Sequence, residues 1–281
     1  MITLQHIQEA QQRMRTVVHK TPLEFSQTFS RLSNNRVYMK LENLQKTGSF
    51  KVRGSYNKIM LLSDEEKSRG VIAASAGNHA QGVAYSSNMI GIPCTIVMPK
   101  GAPLSKIQAT QSYGANVILH GDVFDESLEY ARKLQQETGA TFVHPFDDPA
   151  VIAGQGTIGL ELFGQLDDID AVVCPVGGGG LLAGIAIAMK QKIQLFAYTA
   201  LNPLLVPAQQ QLNNIINRLS LLHQIQLRTG LLLSALGIWH FRTYRNMSMI
   251  SFVWKKQIFH EQCYIYSNEI NCSLKDQRLA H

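Results

Sequence analysis

An apolar stretch, Ala171-Val172-Val173-Cys174-Pro175-Val176, runs straight into four successive glycines, Gly177 to Gly180, and then into a second apolar stretch, Leu181 to Lys190. Strand, glycine loop and helix in that order form the unit from which parallel sheets are built. Four glycines in a row let backbone N–H groups close on an anion without side-chain obstruction. The loop sits at the positive end of the following helix, which suits a phosphate. A flexible linker would not lie between a buried strand and an apolar helix. Gly178, Gly180 and Ala183 fit a loose dinucleotide fingerprint, but that motif needs an acidic residue about 20 positions on. None stands between Asp170 and Glu261, and no Lys-Ser/Thr pair follows the glycines as in a Walker loop.

The same alternation extends back to the start of the chain. Helical periodicity is predicted over 7–18, 55–62, 80–90, 104–113, 122–138, 153–166 and 181–190. Short apolar strands are predicted at 37–41, 71–74, 95–98, 116–119, 141–143 and 171–176. The predicted class is α/β with parallel sheets flanked by helices.

Two further segments carry chemistry. In Thr47-Gly48-Ser49-Phe50-Lys51-Val52-Arg53-Gly54 a lysine opens a helix after a glycine turn. The helix dipole disfavours its charge there, and a neutral amine is what condensation with an aldehyde requires. Taken alone this carries little weight, since most lysines are solvated surface groups. Ser75-Ala76-Gly77-Asn78-His79 follows the strand 71–74 and opens a helix, so its free N–H groups suit a carboxylate. Asn78 can donate to a phenolate-type oxygen. His79 is either an acid–base group or, more plainly, a histidine fixed by hydrogen bonds beside the site.

Together and in this order, the three segments resemble the fold-type II pyridoxal 5′-phosphate (PLP) enzymes, of tryptophan synthase β-like fold, and most closely their threonine/serine dehydratases. Residues 19–23, 40–45 and 151–157 share in the likeness, which covers about 1–190. The resemblance implies PLP on Lys51, Phe50 against its ring, Asn78 on its 3′-oxygen and Gly177, Gly178, Gly179 and Gly180 on its phosphate. It also implies Ser75, Gly77, Asn78 and His79 around the substrate carboxylate. The implied reaction is deamination of L-threonine to 2-oxobutanoate, or of L-serine to pyruvate. Related racemases have serine where this chain has Ala76, and a methyl group cannot move a proton. All of this requires the Lys51 amine to lie close to the glycine loop.

The last third reads differently. Only Gly230 and Gly237 of 21 glycines lie beyond residue 190. Lys and Arg number 9 there against 3 acidic residues, whereas the earlier part holds 17 of each. A shift this abrupt fits a separate domain, a divergent insertion or a reading-frame change; the family likeness stops at the same place, which favours the frame change, and from that an unstable or inactive product is expected. The expected domains are 1–49 with 148–190 as a large PLP-binding domain, 50–147 as a small domain, and 191–281 as an atypical tail. The thinly spread basic residues form no run, so no nucleic-acid partner is expected. No apolar run reaches the roughly 18 residues of a membrane span. Cys94, Cys174, Cys263 and Cys272 lack metal-ligand spacing and read as reduced thiols. A cytoplasmic location, no metal site and, by resemblance, a homodimer or homotetramer are the remaining expectations.

Overall fold

The computed structural model describes residues 2–175 and 177–189. Of these, 2–25, 38–169 and 178–189 form one compact unit, whereas 26–37 and the residues from 170 to 177 belong to a second. The tail 191–281, with Cys263 and Cys272, lies outside the described residues.

The first unit opens with α1 (Leu4–Met14), whose N-cap Thr3 accepts from the His6 N–H. Strands β1 (Leu23–Phe25) and β2 (Tyr38–Lys40) then pair antiparallel, with Leu23 opposite Lys40. This pair departs from the purely parallel expectation. The chain between them forms α2 (Gln27–Ser33), in the second unit. Ser26 caps α2, and Asn34 ends it in the left-handed region at φ 53°.

Next come α3 (Lys51–Met60) and α4 (Asp64–Arg69), followed by β3 (Val71–Ala74), α5 (Asn78–Ile90), β4 (Cys94–Met98) and α6 (Leu104–Ser112). The series ends with β5 (Asn116–Leu119), α7 (Phe124–Thr138) and β6 (Thr141–Phe142). The strands form one parallel sheet in the order β5-β4-β3-β6. Alternation along each strand builds two cores. Val71, Ala73, Ile96 and Met98 face a cluster that includes Ile59, Val83 and Val151. Ile72, Ala74, Val97 and Phe142 face Ala131 of α7 and its neighbours. Each fully buried Val, Ile or Met stabilises the fold by roughly 1.5–3 kcal/mol, so both faces of β3 and β4 are committed.

Two helices complete the first unit: α8 (Pro149–Phe163) and α9 (Gly180–Met189). The glycines of α8 serve packing. A Cβ at Gly154 would meet the Arg53 carbonyl oxygen at 2.5 Å and Gly54 Cα at 2.7 Å, and one at Gly156 would meet the Gly184 carbonyl oxygen at 2.8 Å. Bare backbone therefore lets α8 lie directly against α3 and α9.

One expected element is absent. Residues 171–175 form no strand, and Val176 lies outside the described residues. A strand exists only by its ladder, and no described strand runs beside this segment. The apolar run was therefore misread as a buried, paired strand: of its described residues only Cys174 is buried and the rest are half-buried. Conversely, α4 was not predicted, although its capping box (Ser63 with Glu66) is visible in the sequence.

Candidate active site

Lys51 is the first residue of α3, with Phe50 at the N-cap. Its Nζ donates to the Pro145 carbonyl oxygen at 2.6 Å and lies 5.4 Å from the centroid of the Phe50 ring. Burial, with no carboxylate to offset it, brings the amine down to about 8. About a tenth of the amine is then neutral at pH 7, far more than for a solvated lysine, and the neutral form is the state a nucleophilic amine needs.

At the carboxyl end of β3, the Ser75 hydroxyl accepts from the Gly77 N–H at 3.2 Å. Gly77 is the N-cap of α5, and a Cβ there would meet nothing within 4 Å. Asn78 opens the helix and its Oδ1 accepts from Lys106 Nζ at 3.5 Å. His79 is buried, and its Nε2–H donates to the Val143 carbonyl oxygen at 2.8 Å. Burial, reinforced by the nearby Lys51 charge, takes its imidazole down to about 3. A neutral, anchored ring matches the plainer of the two expectations for this residue.

Gly178, Gly179 and Gly180 lead into α9. A Cβ at Gly178 would overlap the Phe146 ring, and one at Gly180 the Phe146 carbonyl, so both positions demand glycine. Gly179 takes φ +82° with open space beside it, a conformation glycine adopts at no steric cost. Gly177 belongs to the second unit and is exposed.

The loop after β6 touches all three motifs. The Val143 carbonyl accepts a hydrogen bond from His79, the Pro145 carbonyl accepts one from Lys51, and Phe146 lies against Gly178 and Gly180. The sequence reading passed over this loop. Its position at the carboxyl end of a parallel strand, where α/β sheets place their ligands, was the available signal.

A family model described as pyridoxal-phosphate dependent enzyme matches residues 14–218. The chain belongs to that family. Among its relatives, the L-threonine ammonia-lyase of Thermotoga maritima is 60% identical over 190 residues, covering 68% of this chain and 47% of that one. The processed threonine deaminase isoform 2 of Solanum lycopersicum superposes with a TM-score of 0.64 at 46% identity, over 67% of this chain and 52% of that one. Maize serine racemase gives 0.66 at 39% identity, over 68% and 58%. The chain spans about half the length of the curated relatives it matches.

The residues present fit the family's cofactor. The loop at Gly178–Gly180 has no room for side chains where it meets Phe146 and is open at Gly179, as a backbone cradle for phosphate must be. The buried Lys51 amine, with its pKa brought down to about 8, is a group of the kind that can condense with an aldehyde.

Beneath the site lies a feature absent from the sequence reading. Arg53, fully buried two residues along α3, donates to both carboxylate oxygens of Glu42 (2.8 and 2.7 Å) and both of Glu161 (2.6 and 3.1 Å). Lys40 Nζ donates to Glu161 at 2.6 Å, to Gln165 Oε1 at 2.8 Å and to the Thr21 carbonyl at 2.7 Å. Two cations and two carboxylates thus close a buried, charge-balanced cluster that ties α3 to α8. Among the described residues no helix is long and apolar enough to cross a membrane.

Proposed function

We propose that the chain carries the catalytic core of a PLP-dependent ammonia-lyase that converts L-threonine to 2-oxobutanoate and ammonia, and L-serine to pyruvate. The observation that carries this reading is a buried amine without a carboxylate partner, held one residue along a loop from a glycine cradle. The identity to L-threonine ammonia-lyase supports threonine as the substrate.

When bound, PLP supplies the electron-withdrawing ring that stabilises negative charge at the substrate Cα. The N–H groups from Gly177 to Gly180, at the positive end of α9, hold its phosphate. Phe50 would pack beside the ring, and the Asn78 amide would donate to its 3′-oxygen. The backbone N–H groups from Ser75 to His79, at the start of α5, receive the substrate carboxylate. Lys51 Nζ removes the Cα proton, a task its lowered pKa suits. His79, neutral and tied to Val143, keeps the α5 terminus in place and moves no proton.

The likeness to serine racemase raises inversion at Cα as a second outcome. Inversion needs a proton donor on the face opposite Lys51, and Ala76 offers only a methyl group. Elimination is therefore favoured. The family expectation of a homodimer or homotetramer belongs to this reading, and the buried Cys94, which forms no disulfide, supports a reducing compartment such as the cytoplasm.

The test is borohydride reduction of the purified chain after incubation with PLP, followed by peptide mapping, ammonia assay with threonine and serine, and chiral analysis of recovered serine. Label on the Lys51 peptide, ammonia from threonine and no D-serine are expected. Label elsewhere, or D-serine as the main product, would sink the proposal. Label on Lys51 without ammonia release would mean a chain that binds the cofactor without turning over, as the reading-frame change would produce.

A further inference from the structure

The loop that touches all three motifs has an internal brace. His144 Nδ1 accepts the Asp147 N–H at 2.8 Å and the Phe146 N–H at 3.4 Å. Two backbone donors on Nδ1 put the ring proton on Nε2. The ring also meets Phe146 edge-on, with centroids 4.7 Å apart. The turn so formed exposes its remaining groups in a fixed order: the Pro145 carbonyl points to the Lys51 amine, and Phe146 lies on Gly178 and Gly180.

We propose that His144 is a positioning residue whose Nδ1 shapes this turn, and thereby keeps the Pro145 carbonyl on Lys51 and Phe146 on the glycine loop, sealing the amine from water. The inference rests on reading Lys51 as the reactive amine. An apolar side chain could fill the same space, but it could not accept either N–H; in this exposed turn water would take those donors instead, and the turn would lose its internal brace. The role needs a neutral ring, because a protonated imidazole donates from both nitrogens. Burial lowers the His144 pKa, Arg132 and Lys51 lower it further, and Asp147 and Asp148 oppose them. His79, also nearby, is itself neutral.

The test is competitive acylation of the full chain without cofactor, using trace acetic anhydride from about pH 6 to 11 and quantifying the Lys51 peptide. Wild type and His144→Asn are expected to titrate alike, because an asparagine oxygen accepts backbone N–H groups two or three residues on. His144→Leu and the milder His144→Ala are expected to let water reach Nζ and move its titration toward that of a solvated lysine. Acylation of Lys51 at pH 7 then falls by about tenfold or more. Circular dichroism of each variant separates this effect from loss of fold. Leucine and alanine variants that titrate like wild type, or an asparagine variant that fails to restore the wild-type curve, would overturn the proposal. Borohydride capture of PLP by wild type is scored separately. Its failure would count against the reading of the site, while the amine titrations still decide the role of His144.

Discussion

Two buried lysines in the same unit show how neighbours decide what a lysine does. Lys40 spends all three of its ammonium protons on oxygen, one of them on the Glu161 carboxylate. Burial still pulls its pKa below the ordinary value, but Glu161 and Glu42 pull back, and the charge survives as part of a balanced cluster. Lys51 has one uncharged acceptor, the Pro145 carbonyl, and nothing counters burial. The first lysine is a structural ion. The second is an amine poised between its two protonation states. Helix α3 belongs to both regions, since Arg53 anchors it in the ion cluster while Lys51 opens it at the site.

The comparison can be broken from either side. Arg53→Met leaves the Glu42 and Glu161 carboxylates buried without their main partner, and urea unfolding should show a loss of about 3–5 kcal/mol. A loss below 1 kcal/mol would mean that the cluster does not brace α3. Lys51→Met should act in the opposite direction. Its folded pKa lies below the unfolded value, so the unfolded chain binds more protons between about 8 and 10.5, and stability rises with pH across that window. The full penalty of burying the charge is present below the folded pKa. At pH 7 the variant without cofactor should therefore gain about 3 kcal/mol, and the gain should fade as pH rises toward 10.5. A gain independent of pH would refute the cause assigned to the lowered pKa.

Two smaller effects sharpen the contrast. Gly154→Ala sets a methyl against the Arg53 carbonyl and Gly54 Cα, which are backbone atoms that cannot step aside. A loss of roughly 1–3 kcal/mol is expected, with the Lys51 amine titrating higher as α3 moves off α8. Lys100→Ala removes an ion pair with Asp122 at 3.7 Å in which both side chains are largely exposed. Thermal unfolding should register no more than about 0.5 kcal/mol, and a larger change would show that pairing alone, without burial, stabilises this fold.

Apart from the short α2 and α4, which were not predicted, the helices and the four strands of the parallel sheet were legible because their apolar periods are local. So were Lys51 and the tetraglycine loop, since glycine runs and a lysine after a glycine turn announce themselves within eight residues. Strand β2 was predicted within 37–41, but its partner β1 and their antiparallel pairing were not, because Leu23–Phe25 is too short to show a period and pairing direction is not written in either strand. The segment 171–175 was misjudged because composition reports apolarity but cannot report whether a neighbour exists to pair with. The ion cluster was invisible for a related reason: Glu42, Arg53 and Glu161 look like three surface charges until the chain folds over more than a hundred residues.

The sequence by itself determined the α/β alternation and singled out the lysine and the glycine run on which the proposed site rests. These follow from steric and chemical properties of single residues and short runs. Only the tertiary structure decided which lysine would keep its charge and which histidine would be anchored rather than free, and it made an ordinary loop after β6 the meeting point of three distant motifs. Those outcomes depend on desolvation and on distances between groups far apart in the chain, and neither quantity exists before the chain is packed.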